Sequence, residues 1–217
     1  MYDTLIFDLD GTLLYTLEDL HDAANYVLGK NGYPLNTLDD TRHFVGNGLK
    51  MLMKRSLRRD VTPEVLERLF QELRDYYTKH CQMKTRPYDG IMEALEYFQK
   101  LGYKMAIVSN KNDAAVKELN AYYFEKYISV AIGEREGIQR KPAPDTVFAA
   151  LKQLGSSKDN ALYIGDSEVD YETARNAGMD CMLVSWGFRD RSILEQLKPE
   201  FLMDKPEEMT GVLSKVL

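Results

Sequence analysis

Asp8 and Asp10 stand two positions apart, directly after the apolar run Thr4-Leu5-Ile6-Phe7. While the chain stays extended, both side chains leave on the same face, so two carboxylates are brought close and repel. A hard, oxygen-seeking cation such as Mg2+, or a shared proton, offsets that repulsion. The same residues also suit an acidic turn, because Asp10-Gly11 is a turn signal. An EF-hand loop is excluded, since Gly11 is the fourth residue counted from Asp8 and that loop places its glycine sixth.

Further polar residues follow apolar runs elsewhere. Gly165-Asp166-Ser167 comes after Ala161–Ile164, with Asp170 four residues beyond Asp166, and Ser109-Asn110-Lys111 comes after Lys104–Val108. Lys141 precedes Pro142 in a loop. Taken singly, each has an ordinary reading: Ser167, Ser109 or Asn110 capping a helix, and Lys141 as a solvated loop lysine.

These residues gain meaning from the elements that must carry them. After Pro87 and Gly90 the pattern alternates helix and strand: helix 91–101, strand 104–108, helix 114–122, strand 128–132, helix 145–154, strand 161–164, helix 171–177 and strand 181–185. Such alternation predicts βαβ units and an α/β, doubly wound parallel sheet. Thr4–Phe7 reads as its buried central strand. Between these parts lie helical patterns over 17–28, with Gly29 and Gly32 as stops, 49–57 and 63–80. That stretch is too long for an ordinary crossover, so residues 15–85 are expected to form an inserted helical domain, with 1–14 and 86–217 forming the core. In a parallel sheet all strands end at one edge, where ligands bind. Asp8, Asp10, Ser109, Lys141 and Asp166 then converge there on a site suited to a phosphate and a divalent metal.

Composition narrows the partners. A formal net charge of −6 argues against broad binding to nucleic acid, which needs clustered Lys and Arg. Hydrophobic and charged residues at 44% and 29% match an ordinary water-soluble globular chain, and no run approaches a membrane span. Cys81 and Cys181 lack disulfide or zinc spacing, which fits a cytoplasmic protein with reduced thiols. Gly46-Asn47-Gly48 lacks the third glycine of a dinucleotide fingerprint and reads as a loop opening a helix.

Four segments in order resemble the motifs of haloacid dehalogenase-superfamily phosphatases with a helical cap of the first type. They are Phe7-Asp8-Leu9-Asp10-Gly11-Thr12-Leu13, Val108-Ser109-Asn110-Lys111, Lys141-Pro142-Ala143-Pro144 and Gly165-Asp166-Ser167-Glu168-Val169-Asp170. Phe44-Val45-Gly46-Asn47-Gly48 and Trp186-Gly187-Phe188 point within that superfamily to phosphoglycolate phosphatases. Tyr15-Thr16 departs from the Asp-Ser that many such phosphatases carry there, and so bears on the substrate.

The resemblance implies hydrolysis of a small phosphate ester by an aspartyl-phosphate route. Asp8 would be the nucleophile and Asp10 the acid and then the base. Asp8, the Asp10 carbonyl and Asp166 would hold Mg2+, with Asp170 orienting the site behind them. Ser109, Lys141 and the N–H groups of Gly11 and Asn110 would hold the phosphoryl oxygens. Arg42, Gly46, Asn47 and Gly48 of the cap are expected to meet the leaving group. A phosphomutase or a pyrophosphatase shares this core. A phosphoryl-accepting signalling module is the alternative of a different class, against which the Asp-x-Asp spacing and the cap both count. A dehalogenase would need no acid at Asp10.

Overall fold

The computed structural model describes residues 2–213; the ends of the expected core, residue 1 and residues 214–217, lie outside them. The apolar opening run forms β1 (Thr4–Phe7), buried throughout. The chain then turns, forms β2 (Leu14–Tyr15) and enters α1 (Leu17–Lys30), α2 (Leu38–Phe44), α3 (Gly48–Ser56) and α4 (Pro63–His80). It returns through β3 (Arg86–Pro87), which pairs with β2. Alternation follows: α5 (Ile91–Lys100), β4 (Lys104–Asn112), α6 (Asp113–Tyr123), β5 (Val130–Glu134), α7 (Asp145–Leu154), β6 (Ala161–Gly165), α8 (Glu168–Ala177) and β7 (Asp180–Val184). α9 (Arg191–Leu197), β8 (Phe201–Met203) and α10 (Pro206–Leu213) complete the described chain.

The chain divides into two compact units, Met1–Leu14 with Pro87–Leu217, and Tyr15–Arg86. The first is a six-stranded sheet of order β5-β4-β1-β6-β7-β8, with every neighbouring pair parallel. Strand order reverses around β1, so the crevice at its carboxyl end is the topological switch point. Alternate residues of each strand serve opposite faces. Leu5, Phe7, Met105, Ile107, Leu162 and Ile164 pack with side chains of α5, α6 and α10. Ile6, Ala106, Val108, Tyr163 and Cys181 pack with α7, α8 and α9. Strands buried on both faces explain why they read as continuous apolar runs rather than as alternation.

The second unit is helical. α1 and α3 pack on α4, and Leu20, Ala24, Val27, Leu52, Met53, Leu69 and Leu73 of these helices are buried. Thr62 caps α4, with Pro63 in its first turn where the missing N–H costs nothing. Several boundaries differ from the sequence reading, β4 running on to Asn112 and β5 lying two residues later among them. α1 runs on through Gly29 to Lys30, because apolar packing of its other face outweighs one glycine's backbone entropy. The core resumes at Pro87 rather than residue 86. Among the described residues no helix is long and apolar enough to cross a membrane.

Candidate active site

Register places the carboxylates. Phe7 pairs with Ile107 on one side and Ile164 on the other, and the Asp8 N–H donates to the Ile164 carbonyl at 2.8 Å. Asp8 is therefore the first residue past β1, level with Val108 of β4 and with Gly165 at the end of β6. Asp166 follows β6 directly, and Asp170 lies one turn into α8. Carboxylate oxygens of Asp8, Asp166 and Asp170 all lie within 4.8 Å of one another, and all three residues are buried.

Lys141 enters this cluster from the loop between β5 and α7. Its Nζ donates to Asp8 Oδ1 at 2.6 Å, to Asp170 Oδ1 at 2.7 Å and to the Tyr163 hydroxyl at 3.1 Å. An ammonium has three donors, and all three are committed. The loop is tied down by the Asn110 side-chain amide on the Lys141 carbonyl, 3.0 Å, and by Asn176 on the Pro142 carbonyl, 2.9 Å. Asn110 thus has a positioning task that its place beside Ser109 did not suggest. Tyr163, fully buried, also donates to Asp170 Oδ1 at 3.0 Å. In the sequence it is one more apolar strand residue, and nothing distinguishes its hydroxyl.

The cluster holds three carboxylates and one ammonium in a place shielded from water. Burial foremost, offset by Lys141 and augmented by Asp170, pushes Asp8 up to about 7. Burial and then the charges of Asp170 and Asp8 push Asp166 well above the usual carboxylate range. Burial works against the Lys141 charge, but Asp170 and Asp8 outweigh it and hold the ammonium protonated. The excess of negative charge calls for a proton or a cation. Oxygen donors alone suit a hard divalent ion. Asp170 is the least free to serve one. Its Oδ1 accepts from Lys141 and Tyr163, and its Oδ2 accepts from the Ser167 hydroxyl at 2.6 Å and from the N–H groups of Ser167 and Asp166 at 3.1 and 3.2 Å.

That last set is a capping box on α8, with Ser167 as N-cap and Asp170 at the third helical position. Helix α8 consequently starts at Glu168, three residues before the sequence reading placed it. Two glycines leave room for Asp166. A Cβ on Gly11, whose φ is +91°, or on Gly187 would collide with its carboxylate. The Phe188 N–H donates to Asp166 Oδ2 at 2.7 Å, and Trp186 Nε1 donates to the Thr12 carbonyl at 3.0 Å. The Trp186-Gly187-Phe188 segment thereby folds over the carboxylate.

Two expectations need correction. Asp10 is not one of the three buried carboxylates of the cluster; its Oδ1 lies 2.8 Å from Lys111 Nζ, and its charge still acts on Asp8 and helps to raise it. Asp170 and Asp10 repel the charge of Asp8, and Asp170 and Asp8 repel that of Asp166. The Gly11 N–H donates to the Leu14 carbonyl at 2.9 Å, so it is committed within its own turn and the glycine's contribution is space. Ser109 is buried at the end of the regular part of β4, its hydroxyl accepting the Lys111 N–H at 3.1 Å.

The remaining candidates belong to the helical unit. Arg42, in α2, has both Nε and Nη2 3.1 Å from Asp39 Oδ1. Gly46 and Gly48 have φ of +107° and +76°, and Asn47 between them is the N-cap of α3.

Comparison with known proteins agrees with this arrangement. Residues 5–184 match the haloacid dehalogenase-like hydrolase family. The chain is 32% identical to a phosphoglycolate phosphatase of Mesorhizobium japonicum, over 98% of its own length and 95% of that protein's. It is 30% identical to a phosphoglycolate phosphatase of Agrobacterium fabrum, over 98% and 92%. A crystal structure of a candidate phosphoglycolate phosphatase from Lactobacillus delbrueckii subsp. bulgaricus superposes with a TM-score of 0.93 at 35% identity, covering 97% of this chain and 98% of that one. The chain belongs to the haloacid dehalogenase-like hydrolases, as a phosphoric monoester hydrolase of the phosphoglycolate phosphatase-like kind.

Proposed function

We propose that the chain hydrolyses a small phosphomonoester through a phosphoryl group carried on Asp8, with phosphoglycolate as the substrate. The observation that carries the chemistry is the buried Lys141–Asp8 pair set among an excess of carboxylates. The substrate rests on relatives of that name that match nearly the whole chain. Lys141 holds Asp8 Oδ1, which leaves attack on phosphorus to Oδ2. The bond from phosphorus to the ester oxygen breaks, and that oxygen takes the proton carried by Asp10. Asp10, now ionised, draws a proton from water as the water attacks phosphorus. The bond to Asp8 breaks, inorganic phosphate leaves and the carboxylate returns. Covalent catalysis divides one hard displacement into two easier ones.

Asp8, Asp166 and the backbone carbonyl of Asp10 would hold Mg2+, which when bound neutralises charge on the phosphoryl oxygens. Ser109 and the Asn110 N–H are assigned to those oxygens, with the charge of Lys141 beside them or one of its three bonds exchanged for them, and Asp170 to orienting Lys141 and the turn at Asp166. Arg42 and the backbone of Gly46 and Asn47 are assigned to the remote end of the substrate.

Asp8→Asn is expected to abolish phosphate release while leaving the far-UV circular dichroism unchanged, since the amide keeps the shape but is a poor nucleophile. Asp10→Asn is expected to accumulate acid-stable phosphoenzyme in rapid-quench labelling with a good leaving group. Near-normal turnover by the Asp8 variant would sink the mechanism.

A further inference from the structure

β4 does not run straight to its end. Val108 pairs with Ile132 and Asn112 with Glu134, so Ser109, Asn110 and Lys111 stand opposite the single residue Gly133 of β5. A Cβ on Gly133 would lie 2.5 Å from the Lys111 carbonyl oxygen and 2.6 Å from Asp113 Cα. The irregular segment closes onto β5 only because that side chain is missing. The Gly133 N–H also donates to Asp113 Oδ1 at 2.9 Å, which fixes the following turn. Local disruptions of this kind re-aim side chains beside active sites. Here the result is a lysine turned inward. The Lys111 side chain is 8% exposed, and its Nζ sits 2.8 Å from Asp10 Oδ1. Lysines ordinarily keep the ammonium in water.

We propose that Lys111 is a specificity residue, whose ammonium receives the carboxylate of a phosphate ester of a 2-hydroxy acid, phosphoglycolate being the simplest. The inference rests on the assignment above of Asp10 as the acid for the leaving oxygen. In such an ester the carboxylate carbon is two bonds from the leaving oxygen, so a cation in contact with the acid is within reach of that carboxylate. An ammonium carries three donors, so it is able to keep Asp10 and to share or exchange another partner for the substrate carboxylate.

Charge balance favours the same partner. A buried ammonium attracts an anionic group over a neutral one, and the carboxylate of the hydroxy acid is the anion that this class of ester brings near it. A simple alkyl ester supplies no charge at this point. Selectivity for the acid is thus built into the core, beside the reacting atoms.

The test compares phosphoglycolate with ethyl phosphate, which has the same alkyl ester linkage without the carboxylate. Phosphate release is measured for the parent, Lys111→Met and Lys111→Arg, each checked for folding by thermal unfolding. The parent is expected to prefer phosphoglycolate. Lys111→Met should cut that preference in kcat/KM by about tenfold or more, chiefly through KM, and Lys111→Arg should keep it within about threefold. If Lys111→Met fails to fold, Lys111→Gln serves in its place. Equal losses in kcat on both esters would mean that Lys111 only orients Asp10, and would overturn the proposal. A parent that prefers phosphoglycolate alongside a methionine variant that keeps the preference overturns Lys111 alone. A parent with no preference overturns both the proposed substrate and the role of Lys111.

Discussion

Asp8 and Asp166 are carboxylates whose folded-state affinity for a proton exceeds that of an unfolded chain, with Asp8 pushed up to about 7 by burial. Between the ordinary carboxylate range and that value the folded state binds more protons than the unfolded one. The contribution of these groups to stability is therefore greatest at low pH and falls as pH rises through about 7. A divalent cation bound to the folded state removes that cost. In thermal unfolding, Mg2+ is expected to raise Tm relative to the EDTA-treated protein, and to raise it more at pH 8 than at pH 5, where Asp8 already carries its proton. An identical shift at both pH values, or none at either, would contradict the placing of the cation at Asp8 and Asp166. Activity lost in EDTA and restored by Mg2+ should accompany the shift at pH 8.

Single side chains act here only because whole elements deliver them. The cluster is assembled by three segments: the turn after β1, the β5–α7 loop, and the β6–α8 junction with its capping box. A fourth, Trp186-Gly187-Phe188 after β7, covers Asp166 and depends on residue 187 having no Cβ. Gly187→Ala would drive a methyl group into both the Asp166 side chain and the Gly11 carbonyl, a backbone atom with no room to retreat. Such overpacking costs about 1–3 kcal/mol. The expected outcome is a lower Tm together with a rise of about tenfold or more in the Mg2+ concentration for half-maximal activity, because Asp166 is displaced. Gly32→Ala is the control, since its Cβ meets nothing within 4 Å and only its positive φ of 72° is strained. It should lower Tm without altering the Mg2+ requirement. A Gly187 variant that responds to Mg2+ like the parent would show that Asp166 is not a ligand.

Over the whole molecule, the proposed chemistry falls to the sheet unit, and the proposed selectivity is shared between Lys111 there and the helical unit. The residues of the reaction all lie in the sheet unit, and the helical unit contributes Arg42 and the Gly46-Asn47-Gly48 turn to the proposed reading of the leaving group. Arg42 is already paired with Asp39 within its own helix. To read a substrate carboxylate it must exchange or share that partner, which a guanidinium with five donors is able to do. With Arg42→Ala, kcat/KM for phosphoglycolate should fall about tenfold or more, equivalent to about 1.4 kcal/mol, and much less for p-nitrophenyl phosphate, whose leaving group has no carboxylate. Equal losses on both substrates would remove Arg42 from substrate recognition and leave it as a helix-surface ion pair.

The sequence by itself determined the sheet, the inserted helical stretch and which polar residues follow the strands. Strands buried on both faces must be apolar, helices around them must show one apolar stripe, and polar residues directly after such strands must collect at one edge. Asp8 and Asp166 are legible for that reason, whereas Lys141 stands in a loop and is legible only in combination with them. Short exposed elements were not: α2 buries only Thr41, and its one signal is the Thr37–Asp40 capping box. Tertiary structure alone decided which partners meet. It left Asp10 outside the group of three buried carboxylates and gave it Lys111 as a partner. It brought Tyr163 and Lys141 together across 22 positions, and Lys111 to Asp10 across 101. It also turned Gly11, Gly133 and Gly187 from turn residues into space for their neighbours, since collision depends on what packs opposite, and no pattern along the chain records that.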